Sequence, residues 1–86
     1  MASYRIEWKA SAVRELKRLD RSVVPRIVEA VGQLARNPFP RGCRKLKGSG
    51  NSFRIRVGDY RVVYEIAETL PLVEVVRVRH RKDAYR

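Results

Sequence analysis

The stretch from Phe53 to Ile66 constrains the fold more than any other part of this sequence. Two runs rich in Val, Ile and aromatic residues flank Gly58-Asp59, a combination typical of a β-hairpin with a two-residue turn. Such a turn makes Val57 and Tyr60 the closing pair and fixes every pairing behind them. Because side chains alternate between the faces of a sheet, the hairpin has two different faces. The apolar face carries Phe53, Ile55, Val57, Tyr60, Val62 and Tyr64, and the other carries Arg54, Arg56 and Arg61, with Val63 and Glu65 at its far end.

Arginines gathered on one face of a hairpin call for an explanation, because like charges on opposed strands destabilise a sheet. One interpretation is a solvated outer face whose long side chains spread into water. The other is an anion-binding site, since guanidinium groups bind phosphate and carboxylate oxygens. The hairpin alone leaves both interpretations open.

The charge balance points to a polyanionic partner. The chain has 86 residues, with 20 Lys and Arg against nine Asp and Glu, a formal net charge of +11. At this size we expect a single domain over residues 1–86 that binds nucleic acid or an acidic protein. A membrane surface is less expected, because the basic residues are not confined to one amphipathic helix.

A lone cysteine, Cys43, excludes an internal disulfide and a cysteine-based zinc cluster. We find no signal peptide or membrane span, and therefore expect a cytoplasmic protein.

The first half of the chain predicts one strand followed by two helices. The alternation in Tyr4–Trp8 predicts a short strand. Ser11 is the expected N-cap of a helix from Ala12, in which Arg14, Glu15, Lys17 and Arg18 face solvent. Ser22 is the expected N-cap of a second helix, which tolerates Pro25 in its first turn and ends at Asn37-Pro38. Its apolar stripe consists of Val24, Ile27, Val28, Val31, Leu34 and Ala35.

The second half predicts a loop and three strands. We expect a loop from Asn37 to Asn51, with Leu46 packed in the core and its basic neighbours in water. After the hairpin, Leu72–Arg79 predicts a third antiparallel strand with Arg77 and Arg79 facing outward. The order is therefore β-α-α-β-β-β, an α+β fold with two helices packed on one face of a small antiparallel sheet. The arginine-bearing face then stays open, and Arg81 from the tail can join it.

Three segments together resemble one known family. They are Lys45–Gly48, the run from Phe53 to Tyr64 with its Gly-Asp-Tyr-Arg turn, and Val76–Tyr85 with its His-Arg-Lys-Asp-Ala-Tyr ending. They resemble the RelE/ParE toxin superfamily, and the similarity covers nearly the whole chain. The family fold, a compact α+β domain, agrees with the order of elements above.

The resemblance implies a RelE-type toxin of a type II toxin–antitoxin system, a metal-independent and cofactor-free endoribonuclease that cuts mRNA in the ribosomal A site. It implies a RelB-like antitoxin as partner, with operator DNA bound only through that antitoxin. The catalytic residues that it implies are Arg54, Arg56, Arg61, Arg81 and Tyr85, with His80 as a further candidate. The wider RNA- and ribosome-binding surface would include Arg44, Lys45, Lys47, Arg77, Arg79 and Lys82.

These residue types suit that chemistry. Cleavage without a metal needs a 2′-hydroxyl to attack the neighbouring phosphate, and guanidinium groups stabilise the charge that develops there. Tyr85 among arginines can act as the base, and His80 is of a residue type that can donate or accept a proton. Each has a simpler interpretation, a packing residue for Tyr85 and a solvated bystander for His80. Arg54 and Arg56 stand where the best-known relative has lysine, which keeps phosphate binding but removes better proton donors.

Two other functions remain open. ParE-type members share the fold, inhibit DNA gyrase and cleave nothing, so they have no need of the arginines or of Tyr85. A degenerate toxin would keep only its antitoxin and its operator DNA.

Overall fold

The predicted hairpin forms the middle of a five-stranded sheet. In the computed structural model, which describes residues 3–48 and 50–82, the elements follow one another in this order: β1 (Arg5–Trp8), α1 (Ala10–Lys17), α2 (Val24–Gln33), β2 (Arg44–Lys45), β3 (Ser52–Val57), β4 (Tyr60–Ala67) and β5 (Leu72–His80). The strand order across the sheet is β1-β5-β4-β3-β2. The α+β class with two helices is confirmed.

The register of β3 and β4 matches the prediction residue for residue. Val57 pairs with Tyr60, Arg56 with Arg61, and Arg54 with Val63. Gly58 adopts a positive φ of 61° in the turn, a conformation that glycine takes without a steric penalty. Strand β5 pairs antiparallel to β4, with a bulge that shifts the register between Val63 and Tyr64.

The apolar face of the sheet, which we call the helix-packed face, forms the core with residues of both helices. Ile27, Val31 and Leu34 of α2 and its C-terminal turn are buried, as is Ala12 of α1. The sheet contributes Ile55, Val62, Tyr64, Ile66, Val73, Val75 and Val78. Val28, predicted in the buried stripe, is 46% exposed. The stripe of α2 is therefore narrower than its sequence pattern predicts.

Tyr64 is the largest fully buried side chain. Its ring stacks on Phe53, and its hydroxyl donates a hydrogen bond of 2.8 Å to the carbonyl oxygen of Pro38. Burial, together with the neighbouring Cys43, raises the pKa of the Tyr64 phenol. This bond ties the loop after α2 to the centre of the sheet.

The predicted helix caps are wrong. Helix α1 begins at Ala10 with Lys9 as N-cap, and Ser11 lies inside it with its hydroxyl donating to the Val76 carbonyl oxygen at 3.2 Å. Val23 occupies the N-cap position of α2, whereas Ser22 donates both its backbone N–H and its hydroxyl to Asp20. Those two hydrogen bonds lower the pKa of the Asp20 carboxyl.

Helix α2 also stops at Gln33, short of the predicted end at Asn37-Pro38.

The sheet has two features that the sequence pattern did not predict. Strand β1 lies parallel to β5, pairing Arg5 with Leu72 through Trp8 with Val75. The segment expected to be wholly loop contains β2, which pairs Arg44 with Arg54. Leu46 follows β2 but does not enter the core, because the alternation places it on the face opposite the helices.

Candidate nucleic-acid interface

Arginines from four strands converge on the side of the sheet away from the core. The register aligns Arg44, Arg54, Val63 and Arg77 in one row, and Arg56, Arg61 and Arg79 in the next. Residues paired side by side project from the same face of a sheet. We call this surface the arginine face and define it by Arg44, Arg54, Arg56, Arg61, Arg77 and Arg79.

Glu15 of α1 anchors one edge of this face. Its carboxylate accepts a hydrogen bond from the Val78 backbone N–H at 2.8 Å and lies 3.4 Å from both the Arg77 and the Arg79 guanidinium groups. The prediction that Glu15 faces solvent is therefore wrong, since its side chain is only 21% exposed. Within the described part of the chain, no strand pairs with this edge of β5 beyond Trp8. Ser11 and Glu15 of α1 bond to the edge there instead.

A small cleft lies where the hairpin turn meets the end of β5. It has a volume of about 40 Å³, and its cationic lining comes from Arg56, Arg61 and Arg81. The Arg81 backbone N–H donates to the Asp59 carbonyl oxygen at 2.7 Å. The Arg81 guanidinium lies 3.9 Å from the Asp59 carboxylate, and both side chains are about two-thirds exposed. An ion pair of this length and exposure is weak, so an incoming anion can replace it.

A shallow bowl lies beside the cleft, on the same face. It has a volume of about 370 Å³ and is lined by Leu46, Arg54, Arg61, Val63, Arg77 and Arg79. Arg61 lines both the bowl and the cleft. A third depression of about 340 Å³ lies between Gly42, Arg44, Arg54 and Arg56. The arginine face therefore carries three separate hollows, each lined by at least three arginines.

The structure brings most of the predicted catalytic residues together. Arg54, Arg56 and Arg61 share the arginine face, and Arg81 joins Arg56 and Arg61 at the cleft. His80 does not join them, because it pairs with Tyr60 on the helix-packed face and packs edge-on against that ring. Its Nδ1 accepts a hydrogen bond from the Lys82 backbone N–H at 3.2 Å. Tyr85 lies outside the described residues.

The predicted RNA-binding residues divide between the two faces. Arg44, Arg77 and Arg79 lie on the arginine face. Lys45 pairs with Phe53 and so projects from the other face, although it is exposed. Lys47 and Lys82 are exposed as well. Sequence reasoning put Val63 on this face and Asp59 in the turn without giving either a role at the site. It missed Glu15 and Leu46, whose positions depend on contacts with other segments.

The described residues offer neither a metal centre nor a membrane span. Within residues 3–48 and 50–82, no three His, Cys, Asp or Glu side chains gather as a metal site would require. No helix in that part of the chain is both long and apolar enough to cross a bilayer.

Comparison with known proteins identifies the family. Residues 6–85 match the family described as the ParE toxin of the type II toxin–antitoxin system parDE. The chain is 33% identical to Toxin RelG of Mycobacterium tuberculosis over 84 residues, which covers 96% of this chain and 97% of that protein. It is 34% identical to Toxin RelE of the same organism over 84 residues, covering 96% and 87% of the two chains.

Solved structures agree with the sequence comparison. The archaeal RelE–RelB complex of Pyrococcus horikoshii OT3 superposes with a TM-score of 0.82 at 28% identity, covering 92% of this chain and 96% of that one. The RelBE2 toxin–antitoxin complex of Mycobacterium tuberculosis gives 0.81 at 31% identity, covering 92% and 99%. The match thus extends across almost the full length of the chain in both sequence and fold. The chain belongs to the RelE/ParE superfamily, as a RelE-family toxin of a type II toxin–antitoxin system.

Proposed function

We propose that this toxin is a ribosome-dependent, metal-independent endoribonuclease that cuts mRNA in the ribosomal A site. The observation that carries the proposal is the cleft at the hairpin turn, where Arg56, Arg61 and Arg81 surround a space of about 40 Å³. Three permanently charged guanidinium groups around one small cleft form a binding site for a single phosphate.

In the proposed reaction the ribose 2′-oxygen attacks the adjacent phosphorus while the bond from phosphorus to the 5′-oxygen breaks. Negative charge builds up on the phosphoryl oxygens and then on the leaving oxygen, which finally takes a proton. The arginines of the cleft stabilise this charge, and they are already in place before the reaction begins. The phosphate would displace the Asp59 carboxylate from Arg81, exchanging a long, solvated ion pair for charge-assisted hydrogen bonds.

Tyr85 is our candidate for the base that removes the 2′-hydroxyl proton. The assignment comes from the family resemblance of the Val76–Tyr85 segment. Positive charge favours a phenolate, so a tyrosine close to the arginines of the cleft would deprotonate more readily than one in water. Tyr85→Phe should therefore slow cleavage while leaving RNA affinity nearly unchanged.

The remaining basic surface would hold the toxin on ribosomal RNA. Arg44, Arg77 and Arg79 extend the positive charge away from the cleft. Contacts of this type release counterions from the nucleic acid, so ribosome binding should weaken steeply as salt is raised. Solved relatives are RelE–RelB complexes, which supports a RelB-like antitoxin as the cytoplasmic partner of this toxin, with operator DNA reached through it.

One observation favours a second candidate function. The family whose profile matches residues 6–85 is described as ParE toxin, so inhibition of DNA gyrase is the alternative. A gyrase inhibitor that cleaves nothing does not need a cluster of arginines around a phosphate-sized cleft. We therefore prefer the nuclease.

A toeprint on programmed ribosomes tests the proposal. Purified toxin is added in the presence of EDTA at a level that spares the ribosome, and reverse transcription maps new mRNA ends. We expect a cut within the A-site codon that is lost in Arg61→Ala. The matched control is Arg21→Ala, which removes the same charge from an exposed position in the turn between the helices and should cut normally.

A parallel supercoiling assay separates the two candidates. An uncut message together with inhibited gyrase would replace the nuclease with the ParE-like function. A cut that persists in a folded Arg61→Ala variant would show that the cleft is not the active site.

A further inference from the structure

The bowl beside the cleft combines an apolar floor with a cationic rim. Leu46 and Val63, both half-buried, form the floor, and guanidinium groups of Arg54, Arg61, Arg77 and Arg79 surround it. Val63 stands between Arg54 and Arg77 in its row of the sheet. It is the aliphatic member of a row whose other members are arginines. A site for phosphate alone has no use for such a floor.

The rim on the β5 side is held in place by Glu15. The carboxylate lies 3.4 Å from both Arg77 and Arg79, and its bond to the Val78 N–H fixes it to the same strand. Each guanidinium has five N–H donors, so contact with one carboxylate leaves donors for a ligand. The Arg77 and Arg79 side chains are 48% and 40% exposed, which keeps those donors accessible from the bowl.

The ligand that fits this combination is a nucleotide unit. A base presents a flat apolar surface that packs on aliphatic side chains and stacks on guanidinium planes, and the phosphates on either side of it match the arginines. Because Arg61 lines both hollows, the bowl and the phosphate cleft are direct neighbours. A single strand can therefore occupy both at once, with a phosphate in the cleft and a base in the bowl.

We propose that the bowl is a nucleobase subsite, which binds a base of the RNA strand whose scissile phosphate lies in the adjacent cleft. The inference rests on the proposed action on RNA and extends it, since it assigns a role to Leu46 and Val63 that phosphate binding does not require. The subsite contacts the base through its face, and it therefore accepts any base.

The test compares two RNA probes by methyl NMR. The first is a trinucleotide with 2′-O-methyl groups, which lacks the nucleophile for cleavage. The second is identical except that its central nucleotide is abasic. We expect the first probe to move the Val63 and Leu46 methyl resonances upfield through the ring current of the stacked base. The methyls of Val28, exposed on α2, serve as the internal control and should not move.

The affinities give a second readout. We expect the complete probe to bind about fivefold more tightly than the abasic one, as partial burial of one base and the floor implies. In Val63→Thr, which keeps the shape but adds a hydroxyl, that preference should shrink to about twofold or less. The salt dependence of binding should stay the same in this variant, because no phosphate contact is removed.

Equal binding of both probes, with no shift at Val63, would overturn the proposal. Shifts produced instead by an acidic, leucine-rich peptide, and not by RNA, would reassign the bowl to a protein partner. Because the probes cannot be cut and no ribosome is present, the result is independent of the toeprint. Cleavage in the toeprint together with equal binding of the complete and abasic probes would refute the subsite alone. Tighter binding of the complete probe without cleavage would refute the nuclease alone.

Discussion

The two faces of the central strands have opposite physical tasks, and consecutive residues show the contrast. Val62 points to the helices and is fully buried, whereas Val63 points the other way and lines the bowl. The helix-packed face gains stability by excluding water. The arginine face brings like charges together across strands, which costs stability. The alternation along β4 therefore puts the residues that stabilise the fold on one face and the residues proposed to bind RNA on the other.

The largest expected effect is a difference in stability between two variants that carry the same substitution, one on each face. Val62→Asp would bury a carboxylate without a partner, so we expect a loss of about 4 kcal/mol or more in the free energy of unfolding. Val63→Asp places its carboxylate between Arg54 and Arg77, and stability should stay within about 1 kcal/mol of the wild type. Urea unfolding measures both.

The same two substitutions should also differ in their effect on RNA binding. Val63→Asp should bind RNA much more weakly, because its charge opposes phosphate and its polarity replaces the floor. Equal destabilisation by the two substitutions would contradict the separation of the two faces.

Tyr64→Phe tests the hydrogen bond at the centre of the helix-packed face. The buried Pro38 carbonyl would lose its donor, at a cost of about 1–2 kcal/mol in the free energy of unfolding. RNA cleavage should persist, because the hydroxyl lies on the face away from the arginines. A loss of cleavage without a loss of stability would argue against this assignment.

The same phenol makes stability depend on pH. Its pKa is raised in the folded protein, so the folded state keeps its proton at pH values where the unfolded chain has lost it. The stability contributed by the protonated Tyr64 phenol is fully present below a pH of about 10 and is lost as the pH rises further. Urea midpoints from pH 8 to 11 should fall less in Tyr64→Phe than in the wild type.

Glu15 links the two faces and gives a smaller effect. Glu15→Ala leaves the Val78 N–H without its acceptor and should cost about 1 kcal/mol. Glu15→Gln keeps an acceptor for that N–H but loses the charge beside Arg77 and Arg79, and it should cost less. Both variants should also reduce the affinity for the complete trinucleotide more than for the abasic one, because the rim of the bowl is no longer fixed.

The smallest expected effect has the opposite sign. Arg56 is opposed by Arg61, and Arg56→Glu would turn this repulsion into an attractive cross-strand pair worth about 0.5 kcal/mol. The variant should be slightly more stable, and it should not cleave. A variant that is less stable would contradict the repulsion assigned to this pair, and one that still cleaves would contradict the role proposed for Arg56 in the cleft.

The sequence predicts the helix-packed face well because local rules determine it. A two-residue turn and strict alternation establish the pairing of β3 with β4, which the structure reproduces. The predictions that failed concern residues at the edges of the sheet. Ser11 satisfies the edge of β5 instead of capping α1, and Leu46 falls on the outer face because the short strand β2 fixes its alternation. The parallel pairing of β1 with β5 likewise joins the two ends of the chain.

The arginine face was predictable in composition but not in shape. Arg54, Arg56 and Arg61 follow from the hairpin alone. The bowl depends on the alignment of β5, which includes a bulge next to Val63, and on Glu15 reaching across from α1. His80 falls on the opposite face from the arginines for the same reason, since its partner in the register is Tyr60.

The most direct test of the central claim is a paired measurement on Arg61→Met, which removes the charge but keeps most of the side-chain stem. Single-turnover mRNA cleavage on programmed ribosomes is compared with urea unfolding of the same preparation. We predict that cleavage falls by about a hundredfold or more, while stability is unchanged or slightly higher. Cleavage at the wild-type rate, or a loss that is matched by unfolding of the variant, would contradict the account.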